Sequence, residues 1–167
     1  CMNMVSIKTN IISWCEQDNI PAKVQDVKPD DSVLQWSITI DKIAVYNQKR
    51  FPDRVYLQND INFSPEQREM MSKWDNVKRT NFVASLSKNA IEFDYQNEFL
   101  LDGNNIKGIR IHKFLVGDFT KSDFVQLLVR VQNILGYTFN LLNLTMGTEM
   151  NLHQQQTQAG SENPLST

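Results

Sequence analysis

The chain is poor in the residue types that build most reactive sites. Among 167 residues there are two cysteines, Cys1 and Cys15, and two histidines, His112 and His153. Two cysteines make neither a disulfide framework nor the pair of CxxC motifs of a structural zinc site. The six glycines, Gly103, Gly108, Gly117, Gly136, Gly147 and Gly160, are scattered, so neither a Walker loop nor a GxGxxG turn can be assembled from them. HExxH and EF-hand spacings are also missing. Nucleotide-dependent enzymes and metalloenzymes are therefore not expected. No cofactor, metal or catalytic residue is expected either. No apolar run approaches the ~20 residues of a membrane span. The first residues, CMNMVSIKTNIISWCEQDN, lack the continuous apolar core and cleavage site of a secretion signal. The expectation is a cytoplasmic protein that makes no membrane contact. A net charge of −2 gives no long-range attraction to nucleic acid, so nucleic acid is not expected as a partner.

What is present is an ordinary globular composition, with 41% apolar and 22% charged residues. It implies a single domain over residues 1–147, followed by a polar, aperiodic and disordered tail over 148–167. Ile7, Ile11, Trp14 and Cys15 share one face of a first helix over about Val5 to Asp18, which Asn19 and Pro21 end. A short strand follows from Ala22 to about Val27. Leu34, Trp36, Ile38 and Ile40 then alternate with polar residues, the pattern of a half-buried strand. A reversal at Asp41-Lys42 leads to a strand with Ile43 and Val45. After a turn over Lys49 to Asp53 comes another strand, Arg54 to Asn59. Ser64-Pro65-Glu66-Gln67 is a capping box with proline at the first helical position, and it starts a long helix expected to reach Asn89. Ile91, Phe93 and Tyr95 alternate as a further strand. Asp102-Gly103 is turn chemistry, here expected in a loop longer than two residues. Ile109 and Ile111 alternate in the returning strand, and the slip at Phe114 points to a bulge or strand end. Thr120 caps the last helix. Phe119 and Phe124 have the spacing of a hydrophobic staple, and apolar residues continue to about Met146. The fold class is α+β: an antiparallel sheet of five or six strands with three helices.

The residues that could carry chemistry have plainer readings. His112 stands beside Arg110 and Lys113 on the less buried face of a strand, and no acid or nucleophile is spaced to complete a mechanism. Cys15 lies on the apolar face of its helix beside Glu16 and Asp18, the setting of a buried, inert thiol. The acidic residues of Asp30-Asp31, Asp41, Asp53 and Asp60 occupy turn positions.

The element order, the stripe Ile7/Ile11/Trp14/Cys15, the strand Leu34/Trp36/Ile38/Ile40, the start at Ser64 and the segment Phe119 to Phe124 carry a family likeness. Over about Val5 to Met146 the chain resembles type III secretion chaperones and the related YbjN-like domains. The segment FPDRVYLQNDINFSPEQREMM is also similar to that of a group of small archaeal proteins of this architecture. The resemblance implies a small acidic homodimer without nucleotide hydrolysis, whose sheet and first helix offer apolar grooves to an extended protein or peptide segment. The leading expectation is thus a non-catalytic, chaperone-like protein-binding module. Trp14, Trp36, Leu141 and Leu144 are its candidate partner-binding residues. The competing expectation is a small-ligand sensor or enzyme with a pocket between sheet and helices, near His112 and Arg110.

Overall fold

The computed structural model describes the backbone from Met4 to Ala159 and the side chains from Ile7 to Gly147. The chain runs α1 (Met4–Gln17), β1 (Ala22–Gln25), β2 (Leu34–Ile40), β3 (Ile43–Gln48), β4 (Phe51–Asn62), α2 (Pro65–Ser72), α3 (Asn76–Glu92), β5 (Gln96–Asp102), β6 (Asn105–Val116) and α4 (Lys121–Ala159). All strands join one antiparallel sheet in the order β1-β2-β3-β4-β6-β5. The α+β class holds, with six strands among the described residues.

Strand alternation sends Ile38, Ile40, Ile43, Val45, Leu57, Ile109 and Ile111 to one face of the sheet, and the helices cover that face. Two cores result. In the first, Ile7, Ile11 and Cys15 of α1 and Phe124, Leu128 and Val131 of α4 pack on β2, β3 and β4. In the second, Met71, Trp74, Phe82 and Leu86 pack with Ile134, Leu142 and Met146 of α4 on Ile61, Ile109 and Ile111. α4 bridges both cores, which is why its apolar pattern is so long. Its start is locked reciprocally. The Asp123 amide donates to Thr120 Oγ1 at 3.2 Å, and the Thr120 amide donates to the Asp123 carboxylate at 2.8 Å. The Thr120 amide, with the Thr120 hydroxyl donating to the same carboxylate at 2.7 Å, draws the Asp123 carboxyl below its ordinary pKa.

Several expectations are corrected. There are four helices among the described residues, because the long helix from Pro65 breaks at Lys73–Asp75. Asp75 starts a new helix by accepting the Lys78 amide at 2.8 Å. The break lets Trp74 turn inward, edge-on to Phe82 with ring centroids 5.2 Å apart. Ile91, Phe93 and Tyr95 are not a strand. Ile91 is still helical and 83% exposed, and Asp94 takes φ +50°. The Tyr95 amide closes on the Ala90 carbonyl at 2.9 Å, so this is a left-handed helix cap and β5 starts only at Gln96. Asn19 (φ +53°) ends α1 in the same way, with the Ile20 amide on the Cys15 carbonyl. The turn expected over Lys49 to Asp53 is shorter, since β4 begins at Phe51. The β5–β6 loop is only two residues, Asp102 pairing with Asn105 and Gly103 supplying φ +59°. β6 passes through Phe114 without a break, and its irregularity lies instead at Lys107, skipped between the pairs Leu100–Gly108 and Leu101–Ile106. α4 runs to Ala159, beyond the expected end near Met146. The expected disordered tail, with His153, falls on residues whose side chains, and beyond Ala159 whose backbone, lie outside those described.

Candidate functional site

Among the described residues, no helix packs on the second face of the sheet. Its occupants follow from the register. Tyr46 lies opposite Tyr56, and Tyr56 opposite Phe114. One step along, His112 lies between Gln58 and Gln96. One step further, Arg110 lies between Asp60 and Glu98.

These side chains join into one network. Tyr46 and Tyr56 stack with centroids 5.2 Å apart and planes 12° from parallel, and Tyr56 meets Phe114 at 5.5 Å. The Arg54 guanidinium carbon continues the stack, 5.0 Å from the Phe114 centroid and 4.6 Å from that of Phe51. Arg50 reaches the same Phe51 ring at 5.4 Å. In the other direction Tyr46 Oη donates to Gln58 Oε1 at 2.8 Å, and Gln58 Nε2 donates to Asp60 Oδ1 at 3.3 Å. Arg110 closes the row with two bonds to Asp60, from Nε at 2.8 Å and Nη2 at 2.9 Å, with Glu98 4.0 Å away. Burial raises the Tyr46 pKa, and the bond to Asp60 raises that of Arg110.

Beside Tyr46 a groove of about 710 Å³ opens between the sheet and the loop over 28–33. Leu34, Ser37, Ala44, Tyr46 and Gln58 line it from the sheet. The Asp31 carboxylate fixes the loop wall by accepting the Val33 and Leu34 amides at 2.8 and 2.7 Å, which also lowers its pKa. The Lys49 ammonium bonds the Asp31 carbonyl from the neighbouring turn.

This face combines stacked rings, a fork of charge and a groove. His112 Nε2 is 2.6 Å from the Gln96 side-chain oxygen. Desolvation lowers the His112 pKa, and Glu98 partly opposes that shift. No set of three His, Cys, Asp or Glu residues is placed to hold a metal ion among the described residues. No described helix is long and apolar enough to cross a membrane.

Residues 7–142 match the family model described as "Uncharacterized conserved protein (DUF2299)". The chain belongs to this family. The stretch covers every open-face residue named above, and Leu144 falls just outside it. An uncharacterized protein from Methanothermobacter thermautotrophicus has a crystal structure similar to this chain, with a TM-score of 0.69 and 12% identity over 83% of this chain and 97% of that one. That likeness shows the fold. YbjN from E. coli is similar over 87% of this chain and 92% of its own, with 10% identity and a TM-score of 0.46. No functionally curated protein matches the chain.

The candidate residues from sequence are scattered by the fold. Trp36 is 4% exposed and belongs to the first core rather than to a surface. Trp14 is half-buried against Phe119 and Phe124, with centroids 6.2 and 6.1 Å away. Leu141 packs half-buried on the second core, and Leu144 is 71% exposed. His112 and Arg110 lie on the helix-free face, so they cannot line a pocket between sheet and helices. That expectation is corrected, and the reason is strand parity: Ile109 and Ile111 take the covered face. Cys15 is buried, and desolvation followed by Asp18 and Glu16 raises its pKa, as its place in the sequence suggests. The open-face stack went unseen because its rings are spread over three strands. Its one local trace was Phe114, an aromatic residue two positions beyond His112 on the polar side of β6.

Proposed function

We propose that this chain is a non-catalytic, chaperone-like protein-binding module that takes up an extended segment of another protein on the open face of its sheet. The observation that carries the reading is the stack on the helix-free face, with Tyr46 and Phe114 part-exposed on either side of Tyr56 (9% exposed), beside a groove of about 710 Å³. Rigid aromatic side chains supply contact area at low entropic cost, and they concentrate at binding hot spots. The side chains weighed for catalysis are engaged otherwise: His112 with an amide and Arg110 with Asp60. A cytoplasmic setting and a homodimer belong to the same proposal. The dimer is favoured by exposed apolar residues on the helical side, Leu144 at 71%, Ile91 at 83% and Tyr137 at 48%. The groove reading is tested with Ala44→Arg, which fills the groove from its floor without entering either core. Wild type should bind short extended peptides, and the variant should bind them at least about tenfold more weakly at an unchanged melting temperature. Equal binding by both proteins would remove the groove from the site.

A further inference from the structure

We infer that Arg54 is the anchor of this face and that it selects a partner segment carrying an acidic side chain. The inference rests on the open-face reading and adds the chemistry of the partner.

The two arginines of the face differ in what they lack. Arg110 has one edge of its guanidinium, Nε and Nη2, satisfied by Asp60. Arg54 is held flat by Phe51 and Phe114, yet its Nε is buried without a hydrogen-bond partner. Its ion pair with Asp53 is 4.0 Å long, beyond hydrogen-bond reach, and the Asp53 side chain is 58% exposed. The buried Nε is out of a partner's reach, but the side chain is 35% exposed, so the terminal nitrogens of a planar guanidinium with fixed orientation are open to a two-oxygen acceptor. Arg50 on the Phe51 ring adds a second positive charge there.

The face is also polarised. Arg50 and Arg54 outnumber Asp53 at one end, whereas Asp60 and Glu98 outnumber Arg110 at the other. Arg54 and Asp60 lie six positions apart on β4, a span of about 20 Å. A peptide with one carboxylate at the Arg54 end fits that gradient. A nucleic-acid strand does not, because its regular phosphates would meet Asp60 and Glu98. The Tyr46 and Tyr56 rings moreover stack on each other, which leaves fewer ring faces for bases.

The test uses the full chain, immobilised, and three pools of random short peptides of one apolar-aromatic composition whose polar positions are Glu, Gln or Lys. Wild type should retain the Glu pool about tenfold over the Gln pool, and Arg54→Gln should abolish that preference while still retaining the Gln pool. If no pool binds, the open-face reading fails and the inference with it. If the pools bind without acidic preference, or the preference survives Arg54→Gln, the reading stands and the inference is overturned. Retention of oligothymidylate above the Glu pool would also overturn it, in favour of nucleic acid. Should Arg54→Gln melt too early to assay, Arg50→Gln decides: a reduced Glu preference supports the inference, and an unchanged one overturns it.

Discussion

Asp60 and Arg110 face each other across β4 and β6 and close a two-point fork at 2.8 and 2.9 Å, with both side chains about one-third exposed. The fork ties the network of the open face to the middle of the sheet. Its geometry is favourable and its exposure is not, so a double-mutant cycle with Asp60→Asn and Arg110→Gln should give a coupling of about 1 kcal/mol in urea denaturation. A coupling near zero would mean that neighbouring packing, rather than the fork, orders this part of the face.

Two leucines two residues apart on α4 should behave oppositely. Leu142 is 2% exposed in the second core, so Leu142→Ala should cost about 2–5 kcal/mol. Leu144 is 71% exposed, so Leu144→Ala should change stability by no more than about 0.5 kcal/mol. The proposed homodimer is checked on the same residue. Light scattering should find wild type at twice the chain mass and Leu144→Arg at the monomer mass. Equal masses would take this side of α4 out of the interface.

Gly108 pairs with Asn62 of β4, and a Cβ there would stand 2.5 Å from the Ile61 carbonyl oxygen. Backbone cannot swing aside as a side chain tip can. Gly108→Ala should therefore destabilise by about 1–3 kcal/mol in thermal or urea unfolding. A neutral result would place the strands further apart than the register implies.

Desolvation holds His112 below the ordinary histidine pKa, with Glu98 and Asp60 opposing the shift and Arg110 reinforcing it. The sign is then fixed. Between the depressed folded value and the unfolded value of about 6.5, the unfolded chain binds more protons. The contribution is complete above about pH 6.5 and is lost as pH falls through that window. Urea midpoints measured from pH 7.5 down to 5.5 should show a decline that His112→Gln flattens. An identical decline in the variant would assign it to other groups.

Most of the fold was legible because its signals are local. Caps at Ser64 and Thr120 and the alternation of Leu34 to Ile40 act within a few residues of chain. Errors arose where tertiary burial outranked pattern. Trp74 needed a helix break to reach its core, and Asp94 turned an apparent alternating run into a helix cap. The candidate site was largely illegible for a different reason. Tyr46, Tyr56 and Phe114 become neighbours only through the pairing of β3, β4 and β6, which no single segment encodes. The tryptophans, which looked the better candidates, were drawn inward by their apolar periodicity: Trp36 into the core and Trp14 halfway.

Uptake of an extended segment on the open face is tested most directly by the amide spectrum of the isotope-labelled chain, titrated with the Glu-containing peptide pool. The amides of Val33, Ala44, Tyr46, Tyr56, Gln58 and Phe114 should shift together, while those of α1 and α3 stay in place. Shifts confined to Tyr137, Leu144 and the end of α3, with the open face silent, would contradict it.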